Sequence, residues 1–249
     1  MYNVKVQRFN NEIQLSMYKY GISTKEKKQN DKVNVKSDKQ RSKTVKQSDK
    51  TIIENKMRST RRTKQSIYNI ARANEWEFFC TFTFEHNRYD YQTCKSRLQN
   101  YLHNTKKRKC NDMEYLVVPE LHKDGAIHFH GLLKGNIQDI LCQSFEYGKM
   151  ALSNYNLGIS QIEEIKDTNR VAMYITKYIT KDLLNNVQNA QRYFCSNGCK
   201  RATETTYYVD DMTDFEFIEN NFPEYNISYL KNCENKGYKV SYIQLKKTR

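Results

Sequence analysis

The stretch ELHKDGAIHFH, Glu120 to His130, constrains this chain more than any other. YLVV before it (Tyr115–Val118) and GLL after it (Gly131–Leu133) read as two strands, with Asp124 and Gly125 supplying the turn. His128 and His130 are two apart on a strand, so their side chains point to one face. The loop decides whether Glu120 joins them. A two-residue turn at Asp124-Gly125 pairs Glu120 with Phe129 and sends the carboxylate to the opposite face. A three-residue loop, Lys123-Asp124-Gly125, pairs Glu120 with His128. That loop is a type I turn followed by a left-handed residue, a conformation glycine takes cheaply, and it is the register expected here. It sets one carboxylate and two imidazoles on one hairpin face, a three-ligand metal site with open positions. A His-x-His triplet by itself also fits half-buried strand histidines bonded to backbone. The matching Glu120 and the glycine-bearing turn favour the metal site.

Net charge is +14, which argues for a polyanionic partner, nucleic acid first. A membrane surface is the rival. No apolar stretch is long enough to span a bilayer, however, and Met1–Lys5 lacks a signal peptide's apolar core, so no membrane association is expected. Seven cysteines, an odd number, imply a reduced, cytoplasmic protein. Cys195 and Cys199 form a lone C-x-x-x-C with no second pair at zinc spacing.

Three segments are expected. Residues 1–50 read as a basic, largely disordered and flexible extension. Tyr2 to Met17 alternates weakly and suits one or two strands, but Ser23 to Lys50 holds hardly an apolar residue. Residues 51–185 carry the elements of a catalytic domain, and 186–249 form an accessory region of open role. Within the middle segment, Ile52–Asn74 reads as a helix bearing a basic patch, Arg58, Arg61, Arg62 and Lys64, suited to phosphate contact. WEFFCTFTF (Trp76–Phe84) reads as a central strand. A helix from Tyr91 follows, ending in Lys106, Lys107, Arg108 and Lys109, where basic residues also suit the helix dipole. Lys106 and Lys107 are further candidates for DNA contact. Ile137–Met150 and Asn169–Leu184 read as helices, and Gly158–Lys166 as a strand. Beyond residue 186, Thr205–Val209 and Tyr238–Leu245 look like strands, with a helix from Asp214 to Phe222 between them.

The second constellation is YITKYITK, Tyr174 to Lys181. Tyr174, Lys177, Tyr178 and Lys181 fall at i, i+3, i+4 and i+7, one stripe of a helix. Ala172, Ile175, Ile179 and Leu183 form a neighbouring apolar stripe that packs the helix down. With 19 tyrosines in the chain, a Tyr-x-x-x-Tyr pair means little alone, and Tyr225/Tyr229 and Tyr238/Tyr242 repeat it. Only Tyr174/Tyr178 has a lysine three residues after each tyrosine.

WEFFCTFTF, PELHKDGAIHFHGLL and YITKYITK occur in the order found in HUH endonucleases, the rolling-circle replication initiators of phages and plasmids. The doubled tyrosine resembles the two-tyrosine branch, and Arg61–Lys64 with Ile67–Asn69 resembles its lead-in. The resemblance covers roughly Arg58 to Leu184. It implies an α+β fold in which helices pack on a central antiparallel sheet (an RRM or ferredoxin-like core), with the His-x-His strand central and the tyrosine helix beside it. It further implies that Glu120, His128 and His130 bind Mg2+ or Mn2+, although two imidazoles suit zinc equally. Tyr174 and Tyr178 would be the nucleophiles that nick single-stranded origin DNA through a 5′-phosphotyrosine and later rejoin the displaced strand. Lys177 and Lys181 would assist them. With no Walker-type loop in the sequence, a host helicase would act with a host polymerase. The alternatives are a DNA-binding regulator on the same scaffold, a relaxase- or transposase-type strand transferase, and a hydrolase using water.

Overall fold

The computed structural model describes residues 1–23, 49–144, 148–180, 183, 191–210, 213–235 and 238–248. In chain order its elements are β1 (Tyr2–Arg8), β2 (Glu12–Ile22), α1 (Asp49–Arg72), β3 (Phe78–Phe82), α2 (Tyr91–Arg108), β4 (Glu114–Leu121), β5 (Ile127–Lys134), β6 (Leu141–Gln143), β7 (Met150–Leu152), β8 (Ser160–Glu164), α3 (Thr168–Ile175), β9 (Phe194–Cys195), β10 (Thr203–Tyr207), α4 (Asp214–Asn221), β11 (Tyr225–Asn235) and β12 (Tyr238–Lys247). The architecture is α+β, with two antiparallel sheets ordered β10-β1-β2-β12-β11 and β6-β7-β8-β3-β5-β4-β9.

These elements divide into two compact units, Met1–Met57 with Thr203–Arg249, and Arg58–Ala202. The division differs from the expected boundaries at 50 and 185. Residues 2–22 are not a disordered extension but two strands, and they pair with strands from beyond residue 202. The weak alternation of Val4, Val6, Ile13, Leu15 and Met17 is the inward face of that pairing. All five are buried against Phe217, Ile218 and Phe222 of and beside α4. A strand whose partners lie some two hundred residues away carries no local sign of them. The lysine-rich stretch read as flexible falls at 24–48, outside the described residues.

In the unit of Arg58–Ala202, β3 and β5 are interior strands, each hydrogen-bonded on both sides. Their alternation sorts residues to two faces. Phe78, Cys80 and Phe82 of β3 share one face with Ile127, Phe129 and Leu133 of β5, as the register Phe78↔Leu133, Cys80↔Gly131 and Phe82↔Phe129 requires. Helix α2 covers this face, with Tyr91 stacked 6.1 Å from Phe129 and Leu98 and Leu102 fully buried. Asp90 caps the helix by accepting from the backbone N–H groups of Gln92 and Thr93. The other face carries Phe79, Thr81, His130 and Glu120.

Two expected helices are shorter or absent. Among the described residues of Ile137–Met150 there is a 3-10 turn, Gln138–Ile140, followed by β6 and the start of β7, and no α-helix. Ile137 and Ile140 are buried by that one turn, and the apolar residues after it, Leu141 and Leu152, face each other across a strand pair. A helical stripe and a turn plus a hairpin share this spacing over so short a run. The helix expected over 169–184 ends at Ile175 and tightens into a 3-10 turn, Thr176–Tyr178. Thr176 Oγ1 donates to the Met173 carbonyl at 2.7 Å, a bond back along the helix that competes with its regular pattern.

Candidate active site

The hairpin of β4 and β5 forms in the expected register, with Glu120 opposite His128 and Val118 opposite His130. The loop is Lys123-Asp124-Gly125, closed by His122 N donating to Ala126 O at 2.9 Å. Gly125 sits at φ +86°, the left-handed position that the three-residue loop demands. Asp124 Oδ1 accepts from the Ala126 N–H and holds the turn.

Glu120 and His130 meet. His130 Nε2 donates to Glu120 Oε2 at 2.6 Å, since a carboxylate only accepts. On the far side of the ring, His130 Nδ1 lies 3.2 Å from Thr81 Oγ1. A hydroxyl both donates and accepts, so Thr81 satisfies Nδ1 in either tautomer. The bond from His130, aided by the nearby imidazoles of His128 and His122, holds the Glu120 carboxyl below the usual range although burial opposes it. His128 lies on the same strand face, but its ring stacks on His122, centroids 4.9 Å apart. Burial, and then the neighbouring His122, lower the His128 pKa.

The donor set fits a divalent cation in part. Two ligands of one such ion stand about 3 Å apart, so Glu120 and His130 need separate only slightly to admit it. Nε2 must then release its proton, and Thr81 is placed to accept one from Nδ1 instead. As the side chains stand, no three His, Cys, Asp or Glu among the described residues converge tightly enough to hold a metal. His128 would have to turn away from His122.

The tyrosines reach the same place. The Tyr178 ring lies parallel to His130, centroids 3.6 Å apart and planes 16° apart. Tyr174 meets Tyr178 edge-on at 5.4 Å, and Phe79 touches Tyr174 at 5.4 Å, His130 at 5.7 Å and Tyr178 at 6.4 Å. Buried Val171, Ala172, Ile175 and Ile179 seat this segment on the core. Lys177 Nζ stands 4.9 Å over the Tyr174 ring. Burial, the hydrogen bond with Tyr174 and the charges of Glu120 and Glu163 all push the Tyr178 phenol well above its ordinary pKa. Phe79, Thr81, His130, Tyr174, Lys177 and Tyr178, with Lys166 and Arg170, line an open cleft of about 790 Å³.

Other expected residues lie elsewhere. Lys181 is outside the described residues. Arg58, Arg61, Arg62 and Lys64 stand on α1, and none of them lines the cleft. Lys106 is drawn into an ion pair with Glu114 at 2.6 Å, which occupies the charge expected to meet phosphate, while Lys107 beside it is exposed. Phe79, Thr81 and His122 were not singled out from sequence. The first two alternate on the strand WEFFCTFTF, but only the pairing of Thr81 with His130 reveals their role.

Residues 77–183 match the model of a family described as replication-associated proteins of the ORF2 type. The matched segment spans β3 to Leu183, including the hairpin and both tyrosines, and covers less than half of the chain. Neither a curated relative nor a solved structure matches the chain. No described helix is long and apolar enough to cross a membrane.

Proposed function

We propose that the chain is a rolling-circle replication initiator of the two-tyrosine HUH type, nicking and rejoining single-stranded DNA. One observation carries the reading: Tyr178 stacks on His130, His130 bonds Glu120, and Tyr174 stands beside them, all within the matched segment. Phosphoryl transfer needs a nucleophile next to a charge-neutralising group, and this cleft has both in reach.

Glu120, His130 and, once turned, His128 would hold Mg2+ or Mn2+. Such an ion would neutralise the charge on a non-bridging phosphate oxygen. The chain supplies the rest. A tyrosine hydroxyl attacks phosphorus, forming a phosphotyrosine ester on the 5′ side. The bond to the 3′ oxygen breaks, and that oxygen leaves with a proton as a 3′-hydroxyl. The bond energy stays in the ester, so rejoining needs no ATP. Phenol ionises near a pKa of about 10, so the attacking hydroxyl needs help losing its proton, and Lys177 Nζ stands 4.9 Å over the Tyr174 ring. The second tyrosine accepts a second strand while the first ester persists. Host helicase and polymerase would act on the opened duplex and the free 3′-hydroxyl.

The test uses the full chain with Mn2+ and a randomised single-stranded DNA library, capturing strands that stay attached after denaturation. Capture by wild type and none by Tyr174→Phe/Tyr178→Phe supports the proposal. Strand cleavage that persists in the double variant assigns water as nucleophile. Absence of cleavage by wild type leaves a DNA-binding regulator on this scaffold.

A further inference from the structure

A second group of reactive side chains lies at the edge of the seven-stranded sheet, and none of it lines the cleft. There β9 pairs with β4 through Phe194↔Val117 and Cys195↔Leu116. Phe194 turns to the α2 face, where it meets Tyr115 and Phe129, so alternation sends Cys195 to the opposite one. The chain then doubles back. Ser196 N donates to Tyr115 O at 3.0 Å, and Cys199 N to Ser196 O at 3.3 Å. Gly198 passes so close to Glu114 that any side chain there would strike the carboxylate. This tight turn brings the thiols of Cys195 and Cys199 into a hydrogen bond with each other. Cys199 is buried, its Sγ 3.4 Å from both Tyr115 O and Ser196 Oγ. Cys195 is partly exposed, and Arg201 Nη2 donates to its sulfur from 3.8 Å.

We propose that Cys195 and Cys199 form a redox-active dithiol, in which Cys195 attacks hydrogen peroxide and Cys199 closes a disulfide onto it.

The surroundings divide the two roles. The thiolate is the nucleophile, and reactive cysteines sit partly exposed beside cations. Cys195 meets that description and has the second thiol beside it, the arrangement of a redox-sensing pair. The hydrogen bond from Cys199 and then the charge of Arg201 pull the Cys195 thiol below its ordinary pKa, against burial and the Glu114 carboxylate. The same bond and burial hold Cys199 protonated, well above the ordinary thiol range. One sulfur is thus poised to attack and the other keeps its proton for the second step. A zinc site would need two further ligands, and Glu114, the acidic group beside the pair, is engaged by Lys106 at 2.6 Å and by the Ser196 hydroxyl.

In the first step the Cys195 sulfur bonds to one peroxide oxygen and the O–O bond breaks. Hydroxide leaves and takes up the proton that Cys195 gave away, forming water. In the second, the Cys199 sulfur attacks the Cys195 sulfur, and the S–O bond breaks. The hydroxyl departs with the Cys199 proton as a second water. Two thiols lose two electrons and two hydrogens, and the peroxide gains them. The Tyr115 carbonyl loses Cys199 as a donor but keeps the Ser196 N–H, so the pairing of β9 with β4 survives oxidation.

The test needs neither DNA nor nicking activity, so its outcome is independent of the function proposed above. The full chain is reduced, freed of reductant and alkylated with iodoacetamide between about pH 5 and about pH 8, each cysteine being followed by mass spectrometry. The Cys195 rate is expected to level off by about pH 7, whereas a thiol of ordinary pKa, about 8.5, gains about tenfold per unit over this range. Arg201→Ala is expected to move the plateau to higher pH. Hydrogen peroxide is then added in EDTA. Trypsin releases Tyr193–Lys200 as one peptide, expected to be lighter by two hydrogens and restored by dithiothreitol. Cys199→Ser is expected to stop at the Cys195 sulfenic acid, trapped by dimedone. A Cys195 rate that climbs like an ordinary thiol's overturns the proposal. So does a peptide that keeps both hydrogens while Cys142 or Cys233, the other partly exposed cysteines, is oxidised. A pair that resists alkylation until EDTA is added would belong to a bound metal, which overturns it as well. Circular dichroism of both variants separates lost reactivity from lost folding.

Discussion

The two tyrosines are held so differently that they should not be interchangeable in the first cleavage. Tyr178 is clasped by His130 at 3.6 Å and Phe79 at 6.4 Å, and its phenol resists ionisation because of burial and two nearby carboxylates. Tyr174 is 43% exposed at the mouth of the cleft, with Lys177 over its ring. In Tyr174→Phe the first attack falls to Tyr178. Leaving two ring contacts, each about 0.5–1.5 kcal/mol, costs about 1–3 kcal/mol, or roughly 5- to 150-fold in rate. Tyr174 itself raises that pKa, so only the part due to burial and the carboxylates survives in this variant, and each such unit adds about tenfold in lost phenolate. First-adduct formation should therefore slow at least about 100-fold in Tyr174→Phe, while Tyr178→Phe stays within about tenfold of wild type and loses the second transfer. Single-turnover reactions with end-labelled DNA captured from the library, quenched in denaturant and resolved by gel, measure both rates. If Tyr178→Phe is the slower variant, the inference from exposure and ring packing is refuted.

Removing the hydroxyl that steadies His130, in Thr81→Val, should weaken Mn2+ binding about 10-fold or more by calorimetry with the fold intact; equal affinity would mean the second nitrogen needs no partner. In Gly125→Ala the new Cβ meets only Tyr89 Cδ1, at 3.8 Å, but must hold φ +86°, so it should cost about 1–2 kcal/mol in chemical denaturation, and an unchanged midpoint would contradict the loop assignment. Burial works against the Glu114 charge, but hydrogen bonds from Lys106 and Ser196 outweigh it and depress the pKa. A depressed carboxyl contributes stability above its unfolded pKa of about 4.3 and loses it as pH falls through the folded value. Wild type should thus lose stability below about pH 4.3 more steeply than Glu114→Gln; parallel pH profiles would sink this account. At pH 7 the variant should be about 1–3 kcal/mol less stable.

The sequence was most legible where neighbouring residues determine geometry. The turn at Lys123–Gly125 set the register of Glu120 against His128, because one loop residue more or less flips every side chain after it. Asp214–Phe222 and the Tyr91 helix were readable through their apolar periodicity, and the first carries its own capping box in Thr213 and Glu216. What could not be read depends on distant pairing. Nothing near Val4 announces Tyr207, and nothing near Thr81 announces His130. The stripe places both rings together, and Tyr174 is on the expected helix; Tyr178 falls in the 3-10 turn that follows, since a threonine hydroxyl bonding backwards is invisible to periodicity. The split of the expected metal triad into a bonded pair and a His128 turned onto His122 is likewise a matter of rotamers, which spacing does not encode.

The five-stranded sheet has an implication for synthesis. Its second strand pairs with its last, Glu12 with Lys246, while the intervening unit draws only on residues 58–202. As the chain leaves the ribosome, the unit of residues 58–202 can finish while its companion still waits for β11 and β12. A translation product stopped near residue 220 would possess a complete cleft yet lack the sheet, so possession of both parts certifies that the ribosome read through the last of these strands.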